Sequence, residues 1–109
     1  MAISPYGSMW LIAMFDLPVD TAASRKAYTR FRKALIKDGF MMLQYSVYAR
    51  FCASEESADV HRKHVRAALP AEGQVRIVTI TDRQFGKMEV YVGVKREMPE
   101  QEPCQLEMF

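Results

Sequence analysis

Residues 9–16 read MWLIAMFD, and the fold turns on this stretch. Met9 to Phe15 is apolar at every position. A short, continuous apolar run bounded by turn residues predicts a strand covered on both faces. Asp16-Leu17-Pro18 ends it, because Pro18 cannot donate to a ladder. Asp20 or Thr21 can cap a following helix. Tyr28, Phe31 and Leu35 then recur at helical spacing, with Ala27 and Ala34 beside them. Gly39 is placed to end that helix.

Residues 40–52, FMMLQYSVYARFC, are rich in aromatic and β-branched types and predict strand. Alternation puts Met41, Leu43, Tyr45, Val47, Ala49 and Phe51 on one face. Thirteen residues is long for one strand, so a bend, bulge or split is expected near Gln44–Ser46. Ser54-Glu55-Glu56 opens a second helix: the serine can cap it and the acids suit its dipole. That helix is expected to reach about Leu69, before Pro70. QVRIVTIT (74–81) reads as a strand, Asp82–Lys87 as a turn or loop, and MEVYVGV (88–94) as another strand. Pro99 to Pro103 is a linker, and CQLEMF (104–109) suits a short edge strand. The order β-α-β(β)-α-β-β predicts an α+β ferredoxin-like sandwich with an extra C-terminal strand. Two helices cover one sheet face and leave the other for a partner, often a second copy.

At 109 residues the chain is one domain, and 50% hydrophobic with 26% charged residues excludes a wholly disordered chain. The net charge of +2 hides a split. Residues 1–96 hold all fifteen basic residues and nine acids, whereas 97–109 hold four acids and no base. A basic body suggests a polyanionic partner, and the acidic tail suggests a separate role. We therefore divide the chain into a flexible extension (1–8), a ferredoxin-like domain (9–96) and an acidic tail with an edge strand (97–109). Cys52 and Cys104 form no metal or disulfide motif, which suits a reduced, cytoplasmic protein. The apolar run at 9–15 is too short to span a bilayer, so no membrane partner is expected.

Asp16 is the first candidate for chemistry. A carboxylate at a strand end can hold a hard cation such as magnesium, although turn or cap aspartates are commoner. One carboxylate makes a poor metal site, but a two-fold axis would supply a second. The first helix carries Arg25, Lys26, Arg30, Arg32, Lys33 and Lys37 between residues 21 and 37, with no acid. Such a stripe attracts phosphates, or is simply a solvated face. Arg25, Lys26, Arg30 and Lys33 are the residues singled out for phosphate contact. His61 and His64 form an HxxH pair with no third ligand evident, so they read as surface or boundary histidines.

Three segments together resemble a known family: WLIAMFDLP with Asp16 after the first strand, GFMMLQYSVYAR, and TDRQFGKMEVY (81–91). They resemble the small CRISPR-associated endonuclease, the smaller of the two universal CRISPR adaptation proteins, in its type II, subtype C branch. The similarity covers about residues 9–94. It implies a symmetric homodimer with a divalent metal, Mg2+ or Mn2+, between two copies of Asp16, the catalytic and metal-binding residue. It also implies partnership with the CRISPR integrase: the dimer bridges two integrase dimers and supports duplex DNA for spacer acquisition. Relatives are described as metal-dependent endonucleases on RNA or double-stranded DNA. Phe15 departs from the pattern, standing where many relatives have Tyr. Gln44 and Ser46 match it and read as structural or interface residues. The resemblance also allows CQLEMF to pair with the other protomer or contact the integrase. The alternative is a non-enzymatic ferredoxin-like RNA-binding or regulatory dimer whose Asp16 is only a turn residue.

Overall fold

A computed structural model describes residues 7–93 and 95–101. The elements are β1 (Met9–Asp16), α1 (Ala22–Lys37), β2 (Met41–Gln44), β3 (Val47–Cys52), α2 (Glu55–Ala67), β4 (Gln74–Thr81), α3 (Asp82–Gly86), β5 (Val90–Val92) and β6 (Lys95–Glu97). The four-stranded sheet has the order β2-β3-β1-β4, and every adjacent pair is antiparallel. This is the expected α+β ferredoxin-like sandwich, with β1 as one of two inner strands.

The all-apolar character of β1 follows from that inner position. Leu11, Ala13 and Phe15 point toward the helices and join Phe31, Leu35, Tyr48 and Val65 in one core. Phe15 meets the Phe31 ring edge-on, with centroids 5.1 Å apart. Trp10 and Ile12 point the other way, into a second core with Ala49 and Phe85. A strand buried on both faces cannot alternate in polarity.

Both helix caps arise locally. Thr21 Oγ1 accepts from the Ser24 N–H, and Ser24 Oγ accepts from the Thr21 N–H. Ser54 Oγ accepts from the Ser57 N–H. Each cap satisfies donors left free by the first helical turn. The second helix stops at Ala67, short of the expected Leu69.

The expected split of 40–52 is a two-residue turn, Tyr45–Ser46, joining β2 to β3. Ser46 has φ 62° although it is not glycine. Its carbonyl accepts from the Phe15 N–H at 3.0 Å, and its hydroxyl lies 3.2 Å from the Tyr28 hydroxyl. These contacts hold the uncommon conformation. The turn takes Tyr45 off the alternating face. It is exposed and stacks on Tyr28, with centroids 5.8 Å apart.

Two expectations at the C-terminal end are corrected. Residues 82–86 form a short helix rather than a loop, because Thr81 and Gln84 make a reciprocal capping box. The strand expected over 88–94 shrinks to Val90–Val92. It turns at Gly93 (φ 64°) and pairs with Lys95–Glu97 in a separate two-stranded sheet. The edge strand expected at CQLEMF lies outside the described residues, as does most of the 1–8 extension. Ser8, at the end of that extension, is buried, and its carbonyl accepts from the Asp82 N–H.

Candidate nucleic-acid and metal sites

Asp16 is the last residue of β1 and pairs with Gln74 of β4. Strand alternation puts it on the same face as Trp10, Ile12 and Met14, the face away from α1 and α2. Helix α3 covers only the Trp10 end of this face. There Phe85 stacks on Trp10 at 3.9 Å, and Trp10 Nε1 donates to Asp82 Oδ1 at 2.7 Å. The TDRQFGK segment therefore builds a lid over the second core. The Asp16 end stays open: Met14 is 37% exposed and Val78 42%. Met14, Asp16, Gln74 and Arg76 line a shallow depression there.

Arg76 sits opposite Met14 in the β1–β4 register, so it shares the face with Asp16. In the sequence Arg76 is simply one of the fifteen basic residues of 1–96. Its partner strand, and hence this neighbour relation, emerges only from the tertiary pairing. Among the described residues, none of the hydrogen bonds or ion pairs engages the Asp16 carboxylate. Arg76 instead reaches the Gln74 amide oxygen, at 3.5 Å.

The donor chemistry fits a hard cation: the Asp16 carboxylate and the Gln74 amide oxygen are both oxygen ligands. This chain, however, supplies a single carboxylate there, with the Arg76 guanidinium on the same face.

The α1 residues Arg25, Lys26, Arg30 and Lys33 are exposed and border one shallow surface with Ala22 and Thr29. Their i, i+3 and i+4 spacing makes them neighbours on a helix. The helix buries its opposite side, through Phe31 and Leu35. The sheet therefore stands between this basic stripe and Asp16: the four cations are brought together, but away from the carboxylate.

A second group of metal-ligating side chains was incompletely visible in the sequence. Asp38, at the C-cap of α1, meets both histidines of the HxxH pair on α2. His61 Nδ1 lies 2.9 Å from Asp38 Oδ2, and His64 Nδ1 lies 2.7 Å from Asp38 Oδ1. Burial raises the Asp38 pKa, but hydrogen bonds from both imidazoles, and their charge when protonated, outweigh it. The carboxyl is held below its ordinary value. The sequence showed the histidine spacing, whereas the third residue is 23 positions away from His61. Elsewhere, burial pushes the Cys52 thiol up, so it is a core residue rather than a nucleophile. Among the described residues, no helix is long and apolar enough to cross a membrane.

The chain has relatives among known proteins. The family model described as "CRISPR associated protein Cas2" matches residues 9–88. The protein named CRISPR-associated endoribonuclease Cas2 from Parvibaculum lavamentivorans is 61% identical over 101 residues, covering 93% of this chain and 100% of the relative. One of the same name from Flavobacterium psychrophilum is 46% identical over 107 residues, covering 98% of this chain and 93% of the relative. A crystal structure of Cas2 superposes with a TM-score of 0.56 at 17% identity, covering 87% of this chain and 97% of that one, which supports the fold. The matched segment runs from β1 through α3 and includes the Asp16 strand end, the Tyr45–Ser46 turn and the α3 lid; the chain belongs to the CRISPR-associated Cas2 family.

Proposed function

We propose that this chain works in the cytoplasm in CRISPR adaptation, as a homodimer that bridges integrase dimers and supports duplex DNA awaiting insertion as a spacer. We further propose that it hydrolyses phosphodiester bonds of RNA or double-stranded DNA with magnesium or manganese. The relatives named as endoribonucleases support the hydrolytic part. The observation that carries the reading is the position of Asp16: a carboxylate at the open end of an apolar sheet face. A second copy on that face would cover Met14 and Val78 and bring two carboxylates together.

Asp16 of each protomer would hold the ion, which supplies Lewis-acid activation of water and charge stabilisation at a phosphate. Arg76 would position a phosphate oxygen beside it. The stripe formed by Arg25, Lys26, Arg30 and Lys33 would hold duplex backbone without reading sequence. Its place across the sheet from Asp16 makes duplex support separable from hydrolysis. The test is Asp16→Ala. The variant should lose metal-dependent cleavage and still bind duplex DNA; full cleavage by the variant overturns the catalytic role.

One observation favours the non-enzymatic alternative: Arg76 shares the face with Asp16 and provides a cation already built into the fold. In a regulatory dimer Arg76 would offset the Asp16 charge in place of a metal ion, and duplex DNA would bind weakly. Salt dependence separates the readings, because phosphate contacts make binding fall steeply with added salt.

A further inference from the structure

We propose that Asp38, His61 and His64 form a second metal site, specific for a late first-row divalent ion of the zinc class and independent of Asp16. Both carboxylate oxygens are engaged, each by one imidazole nitrogen, at 2.7 and 2.9 Å. One candidate ligand atom from each residue lies within 4.8 Å of the others. Two imidazoles and one carboxylate are a donor set for zinc, cobalt or nickel, whereas magnesium takes oxygen ligands. Three protein ligands also leave a fourth tetrahedral position for water.

The fold prepares this cluster from two directions. The Asp38 backbone N–H caps α1 by donating to the Ala34 and Leu35 carbonyls. Its own carbonyl accepts from Arg50 Nε at 3.0 Å. The backbone that carries the carboxylate is therefore fixed. His61 and His64 are one turn apart on α2, above the buried Val65. His61 and Asp38 are 14% and 18% exposed, and His64 is 54% exposed. Two ligands are thus partly shielded, and the third stands on the solvent side where an ion would enter.

Without an ion, an ionised carboxylate only accepts, so each imidazole presents its Nδ1–H to Asp38. With an ion, each neutral imidazole carries its proton on Nε2 and turns the Nδ1 lone pair inward. The tautomer change conserves protons. Ligand atoms about 2.0–2.2 Å from a tetrahedral zinc stand about 3.4 Å apart, so each imidazole nitrogen must draw back from its carboxylate oxygen by about 0.5–0.7 Å. His64, being exposed, has room to do so. The ion would then fasten the end of α1 to α2.

The test uses the full chain, with Co2+ as the spectroscopic probe and Zn2+ as competitor. We expect one Co2+ per protomer, visible d–d absorption without near-ultraviolet thiolate bands, displacement by Zn2+, and a saturable rise in Tm. Excess Mg2+ should leave the Co2+ spectrum unchanged. His64→Gln, at an exposed position that keeps the fold, should weaken Co2+ binding by about tenfold or more. Asp16→Asn should leave the spectrum intact. The proposal is overturned by no saturable Co2+ binding, by equal binding in the His61→Gln/His64→Gln double variant, or by loss of the signal in Asp16→Asn. Because the Asp16 variant is scored separately, failure here is distinguishable from failure of the proposed hydrolytic function.

Discussion

Gly73 packs against the main chain of Asp16. A Cβ built on Gly73 would stand 2.6 Å from the Asp16 carbonyl oxygen and 2.7 Å from Leu17 Cδ2. Gly73 also has φ +90°, which L side chains rarely adopt. The turn into β4 can therefore close on the end of β1 only without a side chain. That closeness sets Asp16 opposite Gln74 and beside Arg76 on the open face.

Gly73→Ala should accordingly disturb the Asp16 end of the sheet. Backbone strain of this kind costs about 1–3 kcal/mol, and the clash with a main-chain oxygen adds to it. A lower denaturation midpoint is expected, together with amide shifts in NMR spectra concentrated at residues 15–17 and 73–76. An unchanged midpoint and spectrum would show that the turn relaxes freely.

The α3 lid should depend on one long-range hydrogen bond. Asp82→Ala leaves the buried Trp10 N–H without its acceptor, at a cost of about 1–3 kcal/mol. Asp82→Asn keeps an oxygen in place and should lose much less. In a Trp10→Phe background the Asp82→Ala penalty should nearly vanish. Urea unfolding of the four proteins measures this coupling, and additive effects would refute it.

The α1 stripe should act as a set of phosphate contacts. If Arg25, Lys26, Arg30 and Lys33 each neutralise a phosphate of duplex DNA, each alanine substitution lowers the slope of log K against log salt by about 0.9. The effect should be the same for unrelated duplex sequences. Fluorescence anisotropy over a salt series checks both expectations. An unchanged slope in the fourfold variant would assign the stripe to solvent.

Acid sensitivity should follow from Asp38 in the metal-free protein. Its folded carboxyl titrates below the ordinary value of 3.8. The stability it contributes is fully present above that value and is lost as pH falls through the lower, folded pKa. Asp38→Asn should therefore be less stable than the parent at pH 5–7 and converge with it at the acid end of a urea series. A constant difference across the series would contradict the linkage.

Much of this molecule was legible from local pattern. The apolar run at 9–15, the Thr21 and Ser54 caps and the β4 boundaries depend on side-chain period and on hydrogen bonds within a few residues. Those are short-range effects, so sequence alone determined the element order from β1 to β4, the ferredoxin-like class and the placement of Asp16 at a strand end. The helix at 82–86 was missed although its Thr81–Gln84 capping signal is local, because a five-residue element carries no apolar period.

Only the tertiary structure decided which distant residues become neighbours. Trp10 and Asp82 are 72 positions apart, and Asp38 and His64 are 26 apart. Strand register sets Arg76 beside Asp16, while the thickness of the sheet separates Asp16 from the basic helix that follows it closely in sequence. Charge and polarity patterns identify which residues are available for chemistry. Long-range pairing and packing, which depend on the whole core closing at once, determine which of them share a surface.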